Sequence, residues 1–135
     1  MKSPKIKDIK VIFTEPDNIR LIIVKIITDQ DGLYGLGCST FTQRPNPVKY
    51  SIEDYLKPFL IGKDVNNIED IWQSSYVSSY WRNGPVLNNA LSGIDQALWD
   101  IKGKMANMPL YDLLGGKTRE AAAVYVHASG ESNEE

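Results

Sequence analysis

The hydrophobic period of the chain changes near residue 48, and that change restricts the fold more than any other feature. In 19–28, Ile22, Val24 and Ile26 face one way, while Leu21, Ile23 and Ile27 flank Lys25 on the other. β-Branched crowding of this kind favours a strand over a helix. From 85 onward, Leu87, Ala90, Leu91, Ile94, Ala97, Leu98, Ile101 and Met105 recur at steps of three and four, which predicts a long amphipathic helix. A strand-rich beginning followed by helices is an α+β domain, not an alternating βα chain. At 135 residues the chain is long enough for one domain with a core of its own.

Three strands are predicted at the start. Residues 5–13 carry Ile9, Val11 and Phe13 on one side with Lys10 opposite, 19–28 form the second strand, and Leu33 to Cys38 form the third. Asp29–Gly32 supplies the turn between the last two, with Gly32 suited to positive φ. Gly35 and Gly37 precede neither a helix start nor a Gly-Lys-Ser/Thr run, so a phosphate loop is disfavoured. They are expected to permit close backbone approach. Residues 38–47 are polar and non-periodic, with hydroxyls, an amide and Arg44 beside Phe41. They read equally well as a bland surface loop or as a binding loop for an anionic ligand.

Helices are expected over 48–62, with Tyr50, Ile52, Leu56, Phe59 and Leu60 inward, and over 68–80, with Asn67 as cap and Ile68, Ile71, Trp72, Ser75, Tyr76 and Ser79 packing. The long helix should start at Pro85, present Ala90, Gly93 and Ala97 to a close neighbour, and carry Lys102 and Lys104 at its cation-favouring end. A short helix at 109–114 should stop at Gly115 and Gly116. Residues 121–128 look like a buried strand far from the others. Such a strand must join the first sheet by a long connection or open a second domain.

Several functions are disfavoured by composition. Fifteen basic against seventeen acidic residues give a net charge of −2, without the basic footprint of a nucleic-acid binder. The longest apolar run, Leu21–Ile27, is interrupted by Lys25 and is far shorter than a bilayer span. The first residues lack the apolar core of a secretory signal, so a cytoplasmic location is expected. Cys38 is the one cysteine; no nearby base activates it, and a small buried filler is expected. No metal-ligand spacing emerges: Asp95 and Asp100 are five apart and share no tight helix face. Trp72, Tyr76, Tyr80 and Trp81 with Arg82 could stack on a base or a sugar. Helical spacing and a lone arginine favour core or interface packing instead. His127, the only histidine, lies near the end of the last strand, either as a hydrogen-bonded structural residue or as a proton donor active near neutrality.

Several runs carry a family likeness: Ile68-Glu69-Asp70-Ile71-Trp72-Gln73, Tyr80-Trp81-Arg82-Asn83-Gly84-Pro85-Val86, and Ile94-Asp95-Gln96-Ala97-Leu98-Trp99-Asp100-Ile101-Lys102-Gly103-Lys104. Pro109-Leu110-Tyr111-Asp112-Leu113-Leu114-Gly115-Gly116 and Val124-Tyr125-Val126-His127-Ala128 complete them. The chain resembles the amino-terminal capping domain of the enolase superfamily, in its mandelate racemase and muconate lactonizing branch. More narrowly it is similar to the D-mannonate dehydratase group, which includes homologues described as starvation-sensing proteins.

The resemblance implies a three-stranded antiparallel meander plus a helical bundle over 1–116. Residues 117–135 would then form a linker and the first strand of a (β/α) barrel that is otherwise absent. It implies Mg²⁺-assisted dehydration of a sugar acid: a base takes the proton α to the carboxylate and the β-hydroxyl leaves as water. It places His127 at the carboxyl end of barrel strand one, where barrel enzymes keep catalytic groups, as the group assisting departure of hydroxide. The metal ligands and the base belong to later barrel strands, so no residue of this chain is expected to bind Mg²⁺, and the chain alone should be inactive. The 38–47 loop resembles the one that closes over the sugar acid, with Arg44 as a positioning cation. Thr42 stands where the group commonly has Asn, and the loop also departs at Gln43 and Pro45. A hydroxyl does not reproduce the paired donor and acceptor of an amide, which implies weak mannonate turnover or another acid sugar. Expected partners are a small sugar acid, the missing barrel and further copies of the chain, with neither nucleic acid nor membrane. The alternatives are another acid-sugar dehydratase or racemase on this scaffold, or a stand-alone binding or regulatory module.

Overall fold

The computed structural model describes residues 3–126. Strands β1 (Ile6–Thr14), β2 (Leu21–Thr28) and β3 (Tyr34–Cys38) form one antiparallel sheet in the order β1-β2-β3. The register pairs Lys10 with Lys25 and Lys25 with Leu36, and it slips between Ile6 and Asp8. That irregularity lets both Ile6 and Ile9 reach the core, which strict alternation would forbid. Ile22, Val24 and Ile26 are fully buried on the inner face, as their alternation predicted. Phe13, expected inward, is exposed at the sheet end, where the Lys49 ammonium lies 5.6 Å from its ring centre.

A continuous helical run covers the sheet: α1 (Pro45–Tyr50), a π-helical segment (Ser51–Leu56) and α2 (Lys57–Leu60). It starts three residues before the expected 48, because Pro45 and Pro47 occupy the first turn, where a missing N–H costs nothing. Its buried positions are Val48, Ile52, Leu56 and Leu60, four apart throughout. A regular α-helix would rotate such a row steadily away from the core; the wider π turn brings it back. Tyr50 and Phe59, expected inward, are consequently exposed.

Helix α3 (Ile68–Val77) buries Ile68, Ile71 and Ser75 and ends before the expected Tyr80. The Ser78 hydroxyl donates to the Ser75 carbonyl (2.8 Å), the Ser79 hydroxyl donates to the Trp81 carbonyl (2.7 Å), and Tyr80 takes φ of 61°. Serine hydroxyls competing for backbone partners in this way end helices. Ser79 is exposed, not packed. Asn67 stands at the cap position, but its side chain makes no capping bond; its carbonyl accepts the Ile71 N–H instead.

Helix α4 (Pro85–Ala106) is the axis of the fold. Ala90, Leu91, Ile94, Ala97, Leu98 and Ile101 are buried, and Leu87 and Met105 at its two ends are partly exposed. Asn107 ends it in the left-handed region, with the Met108 N–H donating to the Gly103 carbonyl (3.0 Å). Helix α5 (Leu110–Leu113) stops at Gly115 and Gly116, both at positive φ.

The α4–β3 contact is backbone on backbone. A Cβ on Gly35 would collide with the Ala97 carbonyl oxygen, and one on Gly37 with the Gly93 carbonyl oxygen. At this distance side chains of α4 reach the open edge of β3. Gln96 accepts from the Cys38 N–H (3.1 Å) and donates to its carbonyl (3.3 Å). Asp100 accepts from the Leu36 N–H (2.8 Å), and Lys104 donates to the Tyr34 carbonyl (2.8 Å). Four helical residues advance about 6 Å and two strand residues about 6.7 Å, so positions 96, 100 and 104 keep step with 38, 36 and 34. The row closes an edge that would otherwise offer free pairing groups.

This is the α+β cap of a three-stranded antiparallel sheet and a helical bundle. Residues 122–126, expected to be strand and buried, pair with no strand of this sheet, and Val124, Tyr125 and Val126 are more than four-fifths exposed. So exposed, the Val-Tyr-Val run lacks the burial that favours its residue types in a strand. His127 and Ala128, the end of the expected strand, lie outside the described residues.

Candidate functional site

Strand β3 delivers the chain into the segment 39–44, at the end of the sheet where β1 leaves and β2 begins. Its root is pinned to β2: the Ser39 N–H donates to the Ile22 carbonyl (2.8 Å) and the Thr40 hydroxyl accepts from the Ile22 N–H (3.0 Å). Thr40 thus completes the ladder by one more position after the strand has ended. Phe41 packs against the core, and the Arg44 N–H donates to the Phe41 carbonyl (3.0 Å), closing a four-residue turn with Thr42 and Gln43 at its tip.

Thr42 is half-buried and Gln43 and Arg44 are exposed. The Arg44 guanidinium donates to the Gln43 carbonyl (2.7 Å), and among the described residues it forms no ion pair. A rooted turn presenting a hydroxyl, an amide and an unpaired cation can hold an anionic, hydroxylated ligand. The structure therefore brings Thr42 and Arg44 together on one turn. His127 lies outside the described residues.

Cys38 is exposed, contrary to the expectation of a buried filler. Alternation along β3 turns Gly35 and Gly37 inward and Tyr34, Leu36 and Cys38 outward. The Cys38 thiol lies 3.0 Å from the Thr40 hydroxyl.

The carboxylates with shifted acidity lie away from the turn. A hydrogen bond from Lys57 (2.6 Å), the largest influence, holds Asp8 below the usual carboxylate range. The Ser3 hydroxyl and the Asn66 N–H do the same for Asp64. Burial, then the nearby Glu69, pushes Asp95 up. Among the described residues no group of three His, Cys, Asp or Glu side chains is placed to hold a metal ion. No helix of these residues is long and apolar enough to cross a membrane.

Across α1 from the turn lies a cavity of about 560 Å³, walled by the π segment, α3, the turn 78–84 and the start of α4. The aromatic cluster divides around it. Trp72 and Tyr76 stack (5.1 Å between centres, 15° between planes), and the Tyr76 hydroxyl donates to Asn83 (3.0 Å). Tyr80 and Trp81 meet edge to face and stand about four-fifths exposed, so they are not core.

Sequence reasoning missed the root of the site. Thr40 was one hydroxyl among several in a polar stretch, with no sign that it would finish a strand ladder. The Gln96, Asp100 and Lys104 row did carry a signal, since polar residues four apart run beside the small stripe Gly93 and Ala97. It becomes legible only once β3 is known to pack on that stripe.

Residues 2–115 match the family described as mandelate racemase / muconate lactonizing enzyme, N-terminal domain. The chain belongs to that family. Over 132 residues it is 64% identical to a D-galactonate dehydratase family member of Enterococcus gallinarum, covering 98% of this chain and 33% of that protein. A crystal structure of an enolase from Pantoea ananatis with bound D-gluconate and magnesium superposes with a TM-score of 0.84 at 65% identity, covering 86% of this chain and 28% of that one. A member of the enolase superfamily from Salmonella Typhimurium gives a TM-score of 0.78 at 37% identity, with coverages of 87% and 31%. The chain thus spans about a third of the length of the curated relatives it matches. Membership of the enolase superfamily and the cap architecture agree with the resemblance; the relatives bear the name of galactonate rather than mannonate dehydratases.

Proposed function

We propose that this chain is the amino-terminal cap of a sugar-acid dehydratase, and that the turn 41–44 closes over the acid. The observation that carries the reading is the close likeness to a protein that holds D-gluconate together with magnesium. The described residues do not fit a magnesium site, since they bring no three ligands together, so no step of the reaction is assigned to them through the metal. In this reading the metal and the base lie in the two-thirds of the relatives that the chain does not span.

The cap's own residues bind and orient. Arg44 supplies a planar cation for the carboxylate, and its anchoring through Phe41 fixes where that cation sits. Thr42, half-buried at the turn tip, meets a sugar hydroxyl with one donor and two acceptor lone pairs. His127 gives a proton to the β-hydroxyl as it leaves, while the α-proton goes to a base outside this chain; the atoms lost sum to one water. The product is a 2-oxo-3-deoxy acid. D-Mannonate is a candidate substrate on the run of motifs, turned over weakly because of Thr42, and D-gluconate and D-galactonate are the other candidates. The location in this reading is the cytoplasm.

The test is formation of the 2-oxo-3-deoxy product by the full-length protein, with magnesium, from D-mannonate, D-gluconate and D-galactonate. Turnover of at least one, with none by the 135-residue chain alone, is expected; no turnover of any would overturn the reading. Thr42→Asn should raise mannonate turnover by roughly tenfold, about 1.4 kcal/mol of transition-state binding. An unchanged rate would remove Thr42 from the specificity argument.

A further inference from the structure

We propose that Gln96 is a positioning residue for the turn 41–44: it fixes the end of β3 from the side of α4, so that Thr42 and Arg44 are held where they can meet a ligand. Among the described residues that close the β3 edge, Gln96 is the one that engages both backbone groups of a single residue. Its Oε1 accepts from the Cys38 N–H (3.1 Å) and its Nε2 donates to the Cys38 carbonyl (3.3 Å). Asp100 can only accept, and Lys104 can only donate. A side-chain amide is a neutral donor and acceptor in one group, so it can stand in for a neighbouring strand. The Gln96 Nε2 also donates to the Ser92 hydroxyl (2.9 Å), one turn earlier on α4, which fixes the end of the amide that donates.

The next residues are held from the opposite side. The Ser39 N–H donates to the Ile22 carbonyl (2.8 Å), and the Thr40 hydroxyl accepts from the Ile22 N–H (3.0 Å). Residues 38–40 are therefore gripped by α4 at one residue and by β2 at the following two, and the turn begins immediately after them. The Ser39 side chain is fully buried against Gly93, where a Cβ would collide with its hydroxyl. Fixation from two sides sets the direction of the strand end as well as its place. Held by β2 alone, that end could swing about Ile22 and carry the Arg44 guanidinium with it. Losing Asp100 or Lys104, which hold Leu36 and Tyr34, leaves both grips intact.

The effect on turnover rests on the dehydratase reading, whereas the grip itself does not, and the full-length protein reports the two separately. Hydrogen exchange reads the grip. Gln96→Leu should speed exchange of the Ser39 amide at least about threefold, and Gln96→Glu, which keeps an acceptor for the Cys38 N–H, should do so less. Asp100→Ala and Lys104→Met should leave the Ser39 amide unchanged. Steady-state kinetics on the sugar acid that the parent turns over reads the consequence. Gln96→Leu should raise KM at least about fivefold and change kcat less than about twofold, since the turn holds the acid while the metal and base lie elsewhere in that reading. In an Arg44→Ala background the same change should raise KM less than about twofold, because a residue that acts through Arg44 has little left to position. Asp100→Ala should keep KM within about twofold of the parent, which a general loosening of the fold would not do. An unchanged Ser39 amide in Gln96→Leu, a KM raised equally by Asp100→Ala, or full additivity with Arg44→Ala would each overturn the proposal. If the parent turned over no sugar acid, the dehydratase reading would fall, and the exchange result would decide the grip by itself.

Discussion

Gly37→Ala tests the backbone contact on which the fold is centred. The new methyl would overlap the Gly93 carbonyl oxygen and stand 2.9 Å from the Ala97 nitrogen, both backbone atoms of α4. Neither can rotate aside. Carbon contacts are optimal at about 3.5–4 Å, so the helix would have to retreat by on the order of 1 Å. Overpacking of this kind costs about 1–3 kcal/mol. The retreat also stretches the Gln96–Cys38 and Asp100–Leu36 bonds, at roughly 0.5–1.5 kcal/mol each. A loss near 3 kcal/mol is expected, or roughly 9–15 °C in Tm for a chain of this length. Gly32→Ala separates crowding from backbone strain. Its position is at φ of 76° with nothing within 4 Å, so it should cost only about 1–2 kcal/mol. Paired urea and thermal unfolding curves give both numbers. If Gly37→Ala unfolds within about 1 kcal/mol of the parent, or costs less than Gly32→Ala, the close approach does not limit this fold.

Two other changes probe the electrostatics. Asp100→Ala removes the acceptor of the Leu36 N–H and the partner of Lys104. It should cost about 1 kcal/mol, discounted for partial exposure, and speed exchange of the Leu36 amide, whereas Asp100→Asn, which keeps an acceptor, should do so less. Asp95→Asn should stabilise the protein at pH 7. A carboxyl whose pKa is pushed up on folding is a weaker acid there, and at pH 7 it is ionised against the fold's preference. The penalty is present above the unfolded value and vanishes as pH falls below about 3.9, so the two unfolding free energies should converge in acid. A gain that persists below that pH would locate the effect in packing. Asp8 has the opposite sign: its contribution is present above the unfolded value and is lost as pH falls through the lower folded one.

What the sequence discloses follows from range. The alternation of Ile22, Val24 and Ile26 and the stripe from Ala90 to Ile101 are local patterns that report one face of one element, and both faces are buried where expected. The glycines of β3 and the small residues of α4 were each legible as close-approach positions, and they meet one another. The misses are places where two signals compete. Pro45 and Pro47 suggest a loop and also suit a helix start. Tyr50 and Phe59 satisfy a regular helical period, but a π turn changes that period without any residue that announces it. Cys38 is small and apolar, yet its side is set by the parity of Gly37 beside it. At the candidate turn, Thr42 and Arg44 were nominated from chemistry and likeness, while the bond from the Ile22 N–H to Thr40 that roots the turn is tertiary and left no local mark.

The glycine contact between β3 and α4 has a mechanical consequence for the loop that carries Thr42 and Arg44. Side chains normally act as a compliant layer between elements, because a rotamer change can take up a small displacement. Here that layer is missing over residues 35–37, and the strand runs from there straight into the loop. Any tilt of the long helix is therefore passed along β3 to the root of that loop at Ser39 and Thr40, which makes the helix a rigid handle on the candidate turn.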